Sequence, residues 1–233
     1  MYEALTAKPQ GESTVARMAL TAGEYGYDGI VVRNSGDEPS SFDGNEITAA
    51  YDVDVVDGVE ITADNRSQAS GFLGHHRPEK TIVTVRGGTT AMNRFAVEHP
   101  AVDVLSHPFG PDGTGDIDHV LVKTAADNGV RLEVSLRPLI ADSGGARVRA
   151  IQSLRKLTTL IETYDAPYVV TAGPTSHLDL RGPRELRALG SVIDFPADAV
   201  GAGLAEWGQL VARNRERRSS AFVEPGVRIE SDE

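Results

Sequence analysis

Three arginines, Arg181, Arg184 and Arg187, crowd a helix start within PYVVTAGPTSHLDLRGPRELR at 167–187. The YVVT run at 168–171 is short, apolar and β-rich, bounded by Pro167 and Gly173, and Gly182-Pro183 opens a helix with proline at its first position. A helix start is already positive, and cations there are disfavoured by roughly 0.3–1 kcal/mol each. The cluster makes sense if an anion, such as a phosphate, joins the free N–H groups. The alternative is that Asp179 and Glu185 neutralise these arginines on a solvated face, and both readings stay open at this point. Arginine recurs at other strand exits, as Arg86 and Arg137. Arg147, Arg149, Arg155 and Lys156 make a second basic group on a helix whose polar side is otherwise read as simply solvated.

Carboxylates and imidazoles point to a different chemistry. Glu60 and Glu133 fall inside strands and His107 just beyond one, so together with His177 they offer oxygen and nitrogen ligands for metal-assisted hydrolysis. No two of them have a specific ligand spacing, and the competing reading pairs the carboxylates with arginines of the same fold. The adjacent His75-His76, placed in a loop before Pro78, reads as solvated. No phosphate-binding loop, nucleophile elbow or dinucleotide fingerprint is present, since GPDGTG at 110–115 is a turn cluster without the strand-to-helix glycine spacing.

The elements that must position these groups follow from periodicity. Val/Ile-rich runs at 2–6, 29–33, 53–61, 81–86, 102–106, 131–136 and 168–171 read as strands. Between them, Ser13 is read as the cap of a helix over 14–25, Thr89 or Thr90 as the start of one reaching His99, and Asp116 as the cap of one ending at Asn128 before Gly129. Val148, Ile151, Leu154, Leu157 and Ile161 form an apolar stripe over 145–163, and a final helix spans 197–217. Seven strands alternating with helices predict a parallel sheet closed into a single α/β barrel over 1–218. The stretches 34–52 and 107–115 read as loops, and 219–233 as an acidic, loosely ordered tail.

Composition narrows the partners. Net charge is −11, yet residues 1–130 carry 9 Lys/Arg against 20 Asp/Glu while 131–218 carry 13 against 10. An acidic half joined to a basic one suggests a single polyanion-facing side. Lysine occurs only at Lys8, Lys80, Lys123 and Lys156, so the positive charge is almost all arginine, whose planar fork suits phosphate oxygens. Few lysines and many carboxylates fit a protein adapted to concentrated salt, where screening shortens to about 3 Å at 1 M. With no cysteine, disulfides and thiolate-bound metals are excluded. No signal peptide opens the chain and no apolar run nears the roughly 18 residues that span a bilayer, so a cytoplasmic location is expected.

VDVLSHP at 102–108, VRLEVSLRPL at 130–139, and VVTAG at 169–173 followed by LRGPREL at 180–186 resemble the ribonuclease P protein component 3 family, the thirty-kilodalton subunit of the archaeal and eukaryotic enzyme. The resemblance runs in order from Tyr2 to about Arg217. It implies an irregular, TIM-like βα barrel related to the PHP metal-dependent phosphoesterases. It further implies a subunit that supports a catalytic RNA in removing the 5′ leader from precursor tRNA, with the component 2 subunit and other RNase P proteins as partners. The Mg²⁺ need then belongs to the holoenzyme RNA, with no cofactor bound by this chain.

Glu60, His107 and Glu133 fall where the phosphoesterases place metal ligands, but their opening His-x-His strand reads Tyr2-Glu-Ala4 here, and their late Asp-x-His is not matched by Thr171-Ala-Gly173. The expectation is therefore no metal, no catalytic residue on this chain, and carboxylates kept as structural groups that need a cationic partner. RNA contact is expected from Arg137, Arg181, Arg184 and Arg187, with Arg86 as a weaker member, gathered at one mouth of the barrel. The runner-up is a degenerate phosphoesterase, and a protein scaffold that never touches RNA is the third reading.

Overall fold

The computed structural model describes residues 1–110 and 117–219, with the backbone of 222–224 and 227–228. Seven strands, Tyr2–Leu5 (β1), Gly29–Val32 (β2), Asp54–Ile61 (β3), Ile82–Arg86 (β4), Val104–Ser106 (β5), Arg131–Ser135 (β6) and Tyr168–Thr171 (β7), pair in chain order with every neighbour parallel. The helices are Val15–Glu24 (α1), Gly44–Tyr51 (α2), Arg66–His76 (α3), Thr90–Glu98 (α4), His119–Asn128 (α5), Arg137–Ala141 (α6), Gly144–Tyr164 (α7), Pro183–Gly190 (α8) and Ala197–Arg218 (α9). The result is a nearly closed barrel jacketed by helices, as the alternating pattern requires. No helix among the described residues is long and apolar enough to cross a membrane. Within the stretch read as a tail, Phe222–Glu224 (β8) and Val227–Arg228 (β9) pair antiparallel, and the rest of 220–233 lies outside the described residues.

Differences from the sequence reading have local causes. The 34–52 stretch contains α2, capped by Asp43, whose Oδ1 accepts from the Asn45 and Glu46 N–H groups at 3.0 Å. None of its residues is buried, so it carries no apolar stripe to betray it. His75 and His76 stand in the last turn of α3, a polar helix that buries only Ala69 and Leu73, instead of in a loop. Thr14 caps α1, leaving the Ser13 hydroxyl to His177, whose N–H it accepts at 3.0 Å. Asp118 caps α5 through the Val120 and Leu121 N–H groups, whereas Asp116 and the 111–115 part of the expected loop lie outside the described residues. For these two caps an Asp, Ser or Thr one or two positions away offered the same signal.

Strand alternation splits the apolar residues into two cores. One set faces the jacket helices, as Ile30, Val32, Val59, Val85, Leu105, Leu132 and Val134 do. The other lines the barrel interior, where Ala4, Val31, Val56, Ile82, Val104 and Val169 pack on Trp207, Leu210 and Val211 of α9. The apolar stripe of α9 thus closes the amino end of the barrel, and the Trp207 Nε1–H donates to the Val170 carbonyl at 2.9 Å. Gly203 lets α9 approach β7, since a Cβ there would lie 2.5 Å from Val170 Cγ2. Farther along α9, Arg213 and Asn214 reach the buried Asp103 at 2.8 Å each, and Arg215 grips Asp54 at 2.7 and 2.9 Å. These acids precede or begin strands, so the helix is anchored across the rim by ion pairs.

β7 and β1 meet without a strand ladder. Thr6 N–H donates to the Pro174 carbonyl at 3.1 Å, Thr171 Oγ1 to the Ala4 carbonyl at 3.0 Å, and Ala172 N–H to Glu3 Oε1 at 3.0 Å. Glu3 also shares a hydrogen bond with the Thr171 hydroxyl and lies 3.2 Å from the Tyr27 hydroxyl, with none of its own surface exposed. Thr171 has one hydroxyl hydrogen for two acceptors, and a protonated Glu3 resolves the conflict by donating to Oγ1. Burial pushes the Glu3 carboxyl up to about 7, against the opposing pull of Thr171, Ala172 and Tyr27.

Folded Glu3 therefore holds its proton more tightly than the unfolded chain, and its contribution is complete below about 4.5 and lost as pH rises through about 7. At roughly 1.4 kcal/mol per pH unit the full effect is about 3.5 kcal/mol. Denaturant unfolding of the wild type should lose stability between pH 5 and 8 relative to Glu3→Gln. Parallel pH profiles for the two proteins would contradict this.

Candidate functional site

At the carboxyl ends of β2, β3, β5 and β6 the interior changes from apolar to charged. Parity places Arg33 two residues beyond inward-facing Val31, Glu60 beyond Val56 and Gly58, and Ser106 beyond Val104, with Glu133 opposite. Arg33 is the group missing from the sequence-based candidates. Its guanidinium, 6% exposed, forks onto the fully buried Glu133, with Nη2 donating to Oε1 at 3.0 Å and Nη1 to Oε2, and Nη1 lies 3.7 Å from Glu60 Oε1. Below it, the Trp207 ring centroid is 5.7 Å from the guanidinium carbon, so the helix plug supports the cation from beneath. A sequence signal existed: an arginine on inward parity at the end of an apolar strand that needs an acid to face.

Glu60 is shared among several groups. Ser106 Oγ donates to its Oε1 at 2.7 Å and Arg86 Nη1 to its Oε2 at 3.0 Å. His107, held at φ +47, brings its Nδ1 to 3.6 Å from Glu60 Oε1, where that nitrogen is buried and has no hydrogen-bond partner among the described residues. Burial pushes the Glu60 carboxyl up, but His107, Arg33 and Arg86 outweigh it and hold the group well below the usual carboxylate range. Burial likewise works against the Arg33 charge, while Glu133 and Glu60 raise its pKa above that of an ordinary arginine. The mouth is a compensated ion cluster of two acids and two arginines.

The residues do not fit a metal. Both oxygens of Glu133 accept from Arg33, and both oxygens of Glu60 accept from Ser106 and Arg86. His107 Nδ1 alone is unengaged, whereas catalytic zinc sites take about three protein ligands. Among the described residues no group of His, Asp and Glu, this trio included, gathers into a metal-binding set, and His177 is occupied with Ser13, 2.8 Å from its Nδ1. The phosphoesterase-like trio is thus brought together, but around a guanidinium.

The expected arginine patch divides in two. Arg86 and Arg137 line a cleft of about 390 Å³ over the mouth, joined there by Arg149 from α7 and by Gly87, Gly88 and Ser135. Arg137 donates to the Gly173 carbonyl at 2.9 Å and to Thr175 Oγ1 at 3.2 Å, with Asp179 3.6 Å away. Arg184 and Arg187 instead line a depression with Met1, Glu24, Tyr25 and Gly26, beside the amino end of β1 and the turn into β2. Arg181 leads into that second site, its Nη1 donating to the Leu178 and Leu180 carbonyls at 3.0 and 2.7 Å. The β7-to-α8 connection is long enough to leave the mouth, so the 181–187 cluster stands apart from Arg86 and Arg137.

Neither acid proposed to neutralise the α8 arginines does so. Glu185 Oε2 accepts the Gly182 N–H at 2.8 Å as part of the helix cap, and Asp179 faces Arg137. Arg181, Arg184 and Arg187 therefore have no ion-pair partner among the described residues. In the second basic group, Arg155 is bound to Asp194 at 2.9 Å and to the Val192 carbonyl at 3.0 Å, while Arg149 joins the mouth cleft.

Comparison with known proteins agrees in length and order. The family model described as RNase P subunit p30 matches residues 1–219. A protein of Haloarcula marismortui named ribonuclease P protein component 3 is 56% identical over 232 residues, covering 100% of this chain and 98% of its own length. Proteins of the same name from Natronomonas pharaonis and Methanosarcina barkeri are 53% and 35% identical, covering 99% and 96% of this chain and 95% and 92% of theirs. Among solved structures, a chain from the cryo-EM structure of archaeal ribonuclease P with mature tRNA superposes with a TM-score of 0.81 at 24% identity over 99% of both chains. A histidinol phosphate phosphatase of Lactococcus lactis, solved with zinc, L-histidinol and phosphate, superposes at 0.53 and 15% identity over 83% of this chain and 94% of that one. Both superpositions speak to the fold.

The ion cluster makes a prediction about stability. Removing one member leaves a buried charge unpaired, so Arg33→Met should cost about 3–5 kcal/mol, whereas Arg33→Met combined with Glu133→Gln should cost much less than the sum of the single changes. Denaturant unfolding of the four proteins in the cycle measures the coupling, and strictly additive losses would mean that the pair does not act as a unit.

Proposed function

The chain belongs to the RNase P subunit p30 family and is a protein subunit of ribonuclease P, the endoribonuclease of tRNA 5′-end maturation; we propose that it holds RNA by its phosphates while the catalytic RNA performs the cleavage. The observation that carries this reading is whole-length similarity, at up to 56% identity, to proteins named ribonuclease P protein component 3. In this reading the chain contributes no catalytic residue and no cofactor, and the Mg²⁺ requirement is the RNA's. The cytoplasm is the proposed location.

Two arginine surfaces are the proposed RNA contacts. The first is α8, where Arg181 and Arg184 at its start and Arg187 in its last turn have no ion-pair partner among the described residues and stand near exposed Tyr25. The second is the mouth cleft with Arg137, Arg149 and the more weakly placed Arg86, which already serves Glu60. Both use planar donor forks, which hold a phosphate by geometry even where salt screens long-range attraction. The RNase P RNA and bound precursor tRNA are the proposed polyanions. The component 2 homologue and other RNase P proteins are the proposed protein partners. The Leu204, Trp207, Leu210 and Val211 stripe of α9 is fully spent on the barrel, so a protein partner must use other apolar groups, such as exposed Leu178, Val120 or Phe72.

Reconstituted precursor-tRNA cleavage across a salt series tests the RNA contacts. Arg181→Ala/Arg184→Ala and Arg137→Ala/Arg149→Ala should each weaken function for all RNA sequences alike and flatten the slope of log affinity against log salt by about 0.7–0.9 for each phosphate no longer neutralised. A pair whose replacement changes neither quantity is not at the RNA interface. In size-exclusion chromatography with the component 2 homologue, the complex should survive Arg181→Ala/Arg184→Ala. Its loss would instead assign α8 to a protein partner.

A further inference from the structure

We propose that the Arg33 guanidinium is a built-in cation that occupies the space between Glu133 and Glu60 and closes the mouth of this chain to divalent ions. The inference is independent of which surface meets RNA. It rests on who holds each oxygen: Arg33 takes both of Glu133, Ser106 and Arg86 take those of Glu60, and Arg33 also sits 3.7 Å from Glu60. Charge agrees with geometry. Two acids against Arg33 and Arg86 sum to neutrality, so a divalent ion would bring two charges that nothing opposes.

Position is enforced from below as well as above. Trp207 is locked by its bond to Val170 and presents its ring under the guanidinium, so Arg33 has no room to retreat toward the plug. The inward parity of Arg33 on β2 supplies the charge, and Ala4 of β1, packed in the apolar interior, supplies no competing ligand.

The corollary is specific. With the guanidinium gone, both Glu133 oxygens are released toward the unpartnered Nδ1 of His107, while Glu60 stays hydrogen-bonded to Ser106 and Arg86 as a further oxygen donor; one net negative charge then remains after Arg86, and the donor types are those that Zn²⁺ or Mn²⁺ take. The charge that opposes a divalent ion beside Glu133 is therefore supplied by one residue.

The test is metal uptake by the full chain, using Mn²⁺ or Zn²⁺ alone, followed by equilibrium dialysis with elemental analysis and by thermal melts. Wild type should take up no stoichiometric metal and show no rise in Tm. Arg33→Ala should bind about one equivalent with a higher Tm in metal, and Arg33→Ala/Glu133→Gln should lose it. Should Arg33→Ala fail to fold alone, refolding in Mn²⁺ against a chelator decides the corollary: recovery only in metal supports it, and failure in both overturns it. Wild-type uptake of one equivalent that Glu60→Gln or His107→Ala abolishes would overturn the proposal itself.

Discussion

Carboxylates sealed inside a barrel need a cation within reach, because desolvation of an unpaired ion costs several kcal/mol, and in this chain that need is met across the width of the fold. Glu133 on β6 is fully buried, and its partner Arg33 is a hundred residues away in sequence on β2. The pair spans the interior like a strut, ties to Glu60 on β3, and rests on Trp207 of α9. Strands, plug and mouth are therefore held in one network, and changing any member disturbs the others.

The same economy governs closure. Seven short parallel strands leave two edges with unpaired backbone groups, and the seam between β7 and β1 is joined by side chains and a few backbone bonds instead of a ladder. Glu3 supplies that seam from β1, through Thr171 and Ala172, and α9 covers the amino end.

Charge is distributed to match. Several acids are spent on caps and rim ion pairs, as Asp43, Asp54, Asp103 and Asp118 are. The arginines of α8 form no ion pair among the described residues. A net charge of −11 is therefore compatible with local positive surfaces, because what an incoming phosphate meets is the uncompensated fork at short range and not the total.

By itself the sequence determined the repetition of strands and helices, their parallel closure and the family, since two-residue and 3.6-residue periodicities and contiguous motifs are local properties. It also carried the demand that Glu60 and Glu133 find partners. Helix boundaries slipped where adjacent residues offer the same cap, as at Ser13 and Thr14, and α2 escaped because an exposed helix has no stripe. Tertiary structure alone decided that Arg33 answers Glu133, that Glu3 binds Thr171 and Ala172, and that the arginines of 181–187 leave the mouth to Arg86, Arg137 and Arg149. Alternation says which face a side chain occupies, but the shear of the barrel and the path of the β7-to-α8 connection decide which distant residues share that face, and neither is written in any local stretch of the chain.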